Sequence, residues 1–270
     1  MAQLGREFLE APRFFRCSAA GAANYKLQTK NTMKKIVLFL ATLATLASAR
    51  AQEPKSSYSV TTDFAYSSDY VFRGVKQADD SFQPSAEISY QGAYLGVWTN
   101  EPIKGHEDNE IDTYAGYKYK LSDNVSFEAV GTYYWYPEAK GASTKHSYEG
   151  GVGATYSLHG VTASAYYYHD FKLNSNTEQG SVGYSLPLEA IGASLDLTAF
   201  IGTAQADNWA PWSGVSVKQS YNYYGADVSV PYKLSEKATL TVGAHWAHND
   251  GLPGVDNDHI WWSAGLTIGF

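Results

Sequence analysis

Nine carboxylates, Asp63, Glu87, Glu110, Asp112, Glu128, Glu149, Asp170, Asp196 and Asp227, fall on the polar phase of short alternating runs. Only Arg73, Lys118 and Lys120 share that phase with them. Side chains of one sign facing each other across a narrow, low-dielectric space concentrate counter-ions and exclude co-ions. The same groups can instead pair and fill that space as packing. Tyr134, Tyr136, Tyr166, Tyr168, Tyr221 and Tyr223 lie on this phase too, and allow the same two readings: they line a path or they plug it.

A second set could do acid–base work. His106, His146, His169, His245, His248 and His259 gather toward one end of the runs, with His159 apart, and Asp108, Asp170, Asp250 and Asp258 stand near enough in sequence to orient them. No G-x-S-x-G, H-E-x-x-H or Ser-His signature accompanies them, so no catalytic residue is assigned and an enzyme is kept only as an alternative. The stretch "HNDGLPGVDNDH" at 248–259 offers oxygen ligands and two histidines but lacks the D-x-D-x-D-G spacing of a calcium loop. It reads as a hydrated loop, and neither metal nor cofactor is assigned. Asp79, Asp80, Glu107 and Asp108 could bridge lipopolysaccharide through metal ions.

The elements that must position these groups begin after an export signal. Residues 33–51, "MKKIVLFLATLATLASARA", join two lysines, a short apolar run and small residues at Ala47, Ala49 and Ala51, the pattern of a secretory signal peptide. Its apolar run is too short to span a bilayer core. Cleavage is expected after Ala51, with Met33 as the start and residues 1–32 an upstream extension outside the fold. Residues 52–270 then carry 12 basic and 25 acidic residues, a net charge near −13, and lack the single cysteine, Cys17. No basic stripe survives, which excludes nucleic acid as a partner.

What remains is strand chemistry, rich in Tyr, Thr, Val, Gly and Trp. In "HIWWSAGLTIGF" the even positions from Ile260 to Phe270 are apolar, and the odd positions are polar or small except Trp261. Twelve such runs can be traced, near 57–74, 82–91, 93–100, 108–121, 125–136, 146–157, 161–171, 177–186, 192–204, 219–232, 238–248 and 259–270. In the first, Tyr58 through Tyr70 and Phe72 are expected to share the apolar face. In the third, Ala93/Leu95/Val97 and Tyr94/Gly96/Trp98 compete for it.

Short connections ("QG", "SDN", "HG", "PLEAI", "SEKA") alternate with longer polar ones such as "VKQADDS" and "EPIKGHED". That alternation is expected of an all-β, up-and-down antiparallel transmembrane barrel of twelve strands in the bacterial outer membrane. The tripeptides "YKL", "YSL", "YSL" and "YKL" place Tyr119, Tyr156, Tyr184 and Tyr232 just before short turns, on the apolar face. With Phe270 they read as one aromatic girdle at a membrane–water interface. A secreted β-sandwich also alternates, but nothing in the sequence guards an edge strand.

The stretch "SSDYVFRGVKQADDSFQPSAEISYQGAYLGVW", residues 67–98, resembles the opening of the TorF family of outer-membrane porins. Ser68, Asp69, Tyr70, Phe72, Arg73, Gly74, Gln77, Asp79, Pro84 and the segment Gly96–Trp98 carry the likeness, with "EIDTYAGY" at 110–117 as a second block. The resemblance implies a barrel of about twelve strands and a pore, and carries over no substrate or catalytic residues. Phe270 likewise resembles the C-terminal aromatic that barrel-assembly machinery recognises. The resulting expectation is a passive, porin-like and cation-preferring channel for small solutes in contact with outer-membrane lipid and lipopolysaccharide. A plugged structural barrel is the alternative.

Overall fold

The computed structural model describes residues 58–104, 107–139, 145–207, 218–252 and 254–270. The expected signal peptide, His106 and parts of four long connections lie outside these residues. Fourteen strands are described: β1 (Tyr58–Ser67), β2 (Tyr70–Phe72), β3 (Val75–Ala78), β4 (Ser81–Tyr90), β5 (Ala93–Pro102), β6 (Glu110–Lys120), β7 (Val125–Trp135), β8 (His146–Leu158), β9 (Val161–Asp170), β10 (Ser175–Leu188), β11 (Ala193–Ala206), β12 (Gln219–Lys233), β13 (Ala238–Asp250) and β14 (Asp258–Gly269). Twelve of them close into a barrel in which each strand pairs antiparallel with its neighbour. The seam joins β1 to β14, with Asp63 opposite Thr267 and Ser67 opposite Ser263. Closure removes the edge strands that an open sheet would leave unpaired.

The barrel turns the soluble pattern inside out. Its outward positions are large and apolar, and many stand bare: Leu95 is 53 % exposed, Val152 56 % and Ile201 63 %. The small buried apolar cluster, Val75, Ala204, Tyr221, Tyr223 and Leu252, lies inside the wall at the long-loop end. Turns between β4 and β5 and between β8 and β9 take two residues, Gln91–Gly92 and His159–Gly160, all at positive φ. That geometry matches the twist of tightly joined antiparallel strands.

Two expectations change at the start of the chain. The first run is not one strand to residue 74, and "VKQADDS" is not simply an outer loop. β1 stops at Ser67, and β2 and β3 form a separate hairpin. The reason is local. Arg73 at φ 51° and Gly74 at φ 76° make a tight turn that reverses the chain, and a left-handed residue at the second position favours glycine. Tyr70 and Phe72 therefore leave the expected outward face. The ambiguity in β5 also resolves: Leu95 points outward, while Trp98 packs its ring 5.3 Å from Tyr70.

Candidate pore lumen

The hairpin β2–β3 crosses the long-loop end of the barrel from the inside. At its base, Lys76 bridges Asp69 and Asp79, each at 2.6 Å, and the Ser81 hydroxyl donates to the Asp79 carbonyl at 2.8 Å. At its tip, Arg73 donates two parallel hydrogen bonds to the Glu149 carboxylate of β8, at 2.7 and 2.8 Å. The guanidinium also lies over the rings of Phe72 and Tyr168, 4.6 and 4.9 Å from their centroids. Planar two-pronged pairing with ring stacking suits arginine and not lysine. The Tyr134 hydroxyl donates to the same carboxylate at 3.2 Å.

On the other side the tip is held by β12 and β13. The Asn249 amide donates to the Gly74 carbonyl at 2.7 Å and to the Asp256 carbonyl at 3.1 Å. A Cβ on Gly74 would sit 2.7 Å from the Tyr223 Cβ, a distance no real pair of carbons tolerates. Val75 completes the grip by packing among Ala204, Tyr221, Tyr223 and Leu252. The stretch 248–259, expected as a hydrated loop, thus serves partly as a clamp on the hairpin tip. His248 and Asp258 in it meet each other at 3.0 Å, and no group of three metal-ligating side chains occurs among the described residues.

Below the hairpin the lumen opens into cavities. One of about 450 Å³ lies at the short-turn mouth, lined by Glu87, Tyr94 and Lys118 among others. Another of about 320 Å³ lies against β1, β4, β13 and β14, lined by Asp63, Gln83, Ser85, Trp98, Thr241 and Ser263 among others. Glu128 accepts hydrogen bonds from Tyr94 at 2.7 Å and Tyr166 at 2.5 Å, and Glu87 from Tyr114 at 3.2 Å. Asp63 accepts from Ser85 at 3.2 Å and from Thr267, and Asp196 from Ser185 at 2.6 Å. These four wall carboxylates are thus met mainly by hydroxyls, with Lys118 the cation that comes within 4 Å of Glu128.

A family model described as a bacterial protein of unknown function, Gcw_chp, matches residues 51–270. The chain belongs to the Gcw_chp family. No curated protein matches it. Among solved structures it is similar to the NanC porin, at 13 % identity over 77 % of this chain and 98 % of that one, TM-score 0.49. The KdgM porin gives 14 % identity over 78 % and 99 %, TM-score 0.49. An outer membrane channel from Pseudomonas putida F1 gives 11 % identity over 81 % and 97 %, TM-score 0.48.

In this Gcw_chp barrel the sequence-derived site residues separate by level and by face. Arg73 is not a wall residue, as its expected strand position required, but the tip of the inserted hairpin. Glu149 joins it, and Glu110 lies buried near the same level, accepting from Tyr136 at 3.1 Å. Asp170 serves the β9–β10 turn, taking the Lys172 and Leu173 amides at 2.8 and 2.7 Å and the Ser147 hydroxyl at 2.5 Å. Asp112 stands two residues along β6 from Glu110, opposite Tyr134 of β7. Lys118 and Lys120 sit at the short-turn mouth, more than half exposed, Lys118 3.9 Å from Glu128 and Lys120 3.0 Å from Asp123 in the turn. The outward rings Tyr119, Tyr156, Tyr184 and Tyr232 are 43–53 % exposed, and Phe270 lies beside β1 with its amide on the Val60 carbonyl at 2.9 Å.

One constellation escaped the sequence reading. Asp227 of β12 lies 2.7 Å from His245 Nδ1, and His245 Nε2 lies 2.8 Å from the Ser263 hydroxyl. The expected partners of the histidines were their sequence neighbours, whereas this set is made by register across three strands: Asp227 faces His245, and Gly243 faces Ser263. The one available hint was Trp261, the exception to the alternation of β14, whose ring stacks on His245 at 5.1 Å.

Proposed function

We propose that this Gcw_chp protein is an outer-membrane channel that passes small cations and neutral solutes through an acidic lumen, with the inserted hairpin as its constriction. The observation that carries this reading is the hairpin's placement. A two-stranded segment pinned by Arg73 to Glu149 narrows one end of a closed barrel, while cavities lined by Asp63 and Glu87 continue beneath it. The bare apolar exterior supports residence in a bilayer, because water-facing walls of a soluble barrel would be polar. Export through the signal at 33–51, contact with lipopolysaccharide and recognition of Phe270 by assembly machinery belong to the same reading. The TorF-family likeness of residues 67–98 lies within the Gcw_chp match and is read as the same porin character.

The hairpin also suits a second reading, a barrel plugged for structural reasons. Planar-bilayer conductance of the folded protein under a KCl gradient separates the two. A cation-selective reversal potential, with conductance that rises when Arg73 is replaced, is expected. Anion preference, or silence in both wild type and variant, overturns the channel.

A further inference from the structure

We propose that Asp227, His245 and Ser263 form an acyl-transfer triad on the lumen wall, able to hydrolyse short-chain esters of small alcohols. A nucleophilic serine needs a base within hydrogen-bond reach and a third group that orients the base, and such sets are recognised by geometry, not by position in the sequence. Here the carboxylate of Asp227 can only accept, so the proton of neutral His245 resides on Nδ1, donated across 2.7 Å. Nε2 is left with its lone pair toward the Ser263 hydroxyl, 2.8 Å away. That is the tautomer a general base requires.

Three further features fit a built arrangement. The Trp261 ring stacks on the imidazole at an interplanar angle of 19°, fixing its plane. Position 243 is glycine where His245 must pass: a Cβ there would lie 2.8 Å from Nε2 and 3.1 Å from the Ser263 hydroxyl oxygen. Ser263 lines the cavity of about 320 Å³, whereas His245 and Asp227 do not. The nucleophile therefore faces the space where a substrate can sit, and the base and its orienting acid stand behind it.

The reaction balances without a co-reactant other than water. The Ser263 oxygen bonds to the ester carbonyl carbon as its proton passes to His245 Nε2. The carbon–oxygen bond to the alcohol then breaks, and the alcohol leaves with that proton. Water repeats the sequence on the acyl-serine, releasing the acid and restoring the hydroxyl. Wall amides are spent in strand pairing, so the developing oxyanion must be met by side-chain donors lining the cavity, of which Gln83, Trp98 and Thr241 are suited by type. The cavity of about 320 Å³ has room for a short acyl group, and Asp63 on its wall disfavours anionic esters.

The test uses the full chain folded in detergent, a fluorophosphonate probe and p-nitrophenyl butyrate. Peptide mapping is expected to place the label on Ser263, and Ser263→Ala to lose it with butyrate hydrolysis, while heat-modifiable gel mobility shows the barrel still closed. Asp227→Asn should lower both rates by about 10²-fold or more and His245→Gln by a similar factor. Gly243→Ala, which displaces the imidazole without touching the triad chemically, should lower them too. Absence of label on Ser263 in folded wild type, or labelling undiminished in His245→Gln, overturns the proposal. Neither outcome depends on whether the lumen conducts ions.

Discussion

Replacing Arg73 by methionine isolates the latch. The side chains of Arg73 and Glu149 are 14 % and 6 % exposed, so the pair is nearly dry. Removing the guanidinium leaves the Glu149 carboxylate with the Tyr134 hydroxyl at 3.2 Å as its remaining donor among the bonds described. Breaking a buried pair from one side destabilises the state that contains it by about 3–5 kcal/mol, because an uncompensated charge stays behind. At about 1.4 kcal/mol per factor of ten, the inserted hairpin loses between two and nearly four powers of ten in its equilibrium against a withdrawn one. Single-channel recording of Arg73→Met should therefore show larger or longer openings than wild type. The double variant Arg73→Met/Glu149→Met removes both charges and leaves apolar groups of similar volume, so it should close again. Conductance unchanged in the single variant, or a double variant no more closed than the single, would refute the latch.

Other consequences follow from neighbouring contacts. Gly74→Ala puts a Cβ into the Tyr223 Cβ at 2.7 Å on a backbone already at φ 76°; the left-handed conformation alone costs about 1–2 kcal/mol, and the recording should resemble that of Arg73→Met. Glu87→Gln with Glu128→Gln removes two carboxylates beneath the hairpin while keeping acceptors for Tyr114, Tyr94 and Tyr166, and the reversal potential in a KCl gradient should move toward zero. Val152→Arg places a charge midway along β8 on the bare outer face. Equilibrium refolding into lipid vesicles should lose about 2–4 kcal/mol if that face meets hydrocarbon, whereas a change within about 0.5 kcal/mol would place it in water.

Much of the wall was legible because a strand's side chains alternate with period two. Once Ile260, Trp262 and Leu266 are assigned outward, every other residue of β14 follows, and the same logic sorts β6 through β13. Turn composition separated the strands, since Gln91–Gly92 and His159–Gly160 permit little else. β5 resisted, because Leu95 and Trp98 are both large and apolar and alternation gives no sign of which meets protein. The first run misled for a related reason. Tyr70 and Phe72 keep the phase of Tyr58 and Phe64, so periodicity runs on past Ser67, and only the Arg73–Gly74 turn marks the reversal.

The sequence by itself determined a closed twelve-stranded wall with an apolar outside, because alternation and turn chemistry are local properties written in neighbouring residues. The tertiary structure alone decided what occupies that wall. Arg73 meets Glu149, 76 positions later, and Asn249 meets Gly74 across 175, contacts that depend on barrel curvature and on how far a hairpin reaches across it. Asp227 meets His245 by direct strand pairing, and His245 reaches Ser263 on the diagonal across the next pair, each contact spanning 18 positions. Register is set by the whole closed sheet, and no short stretch of sequence contains it.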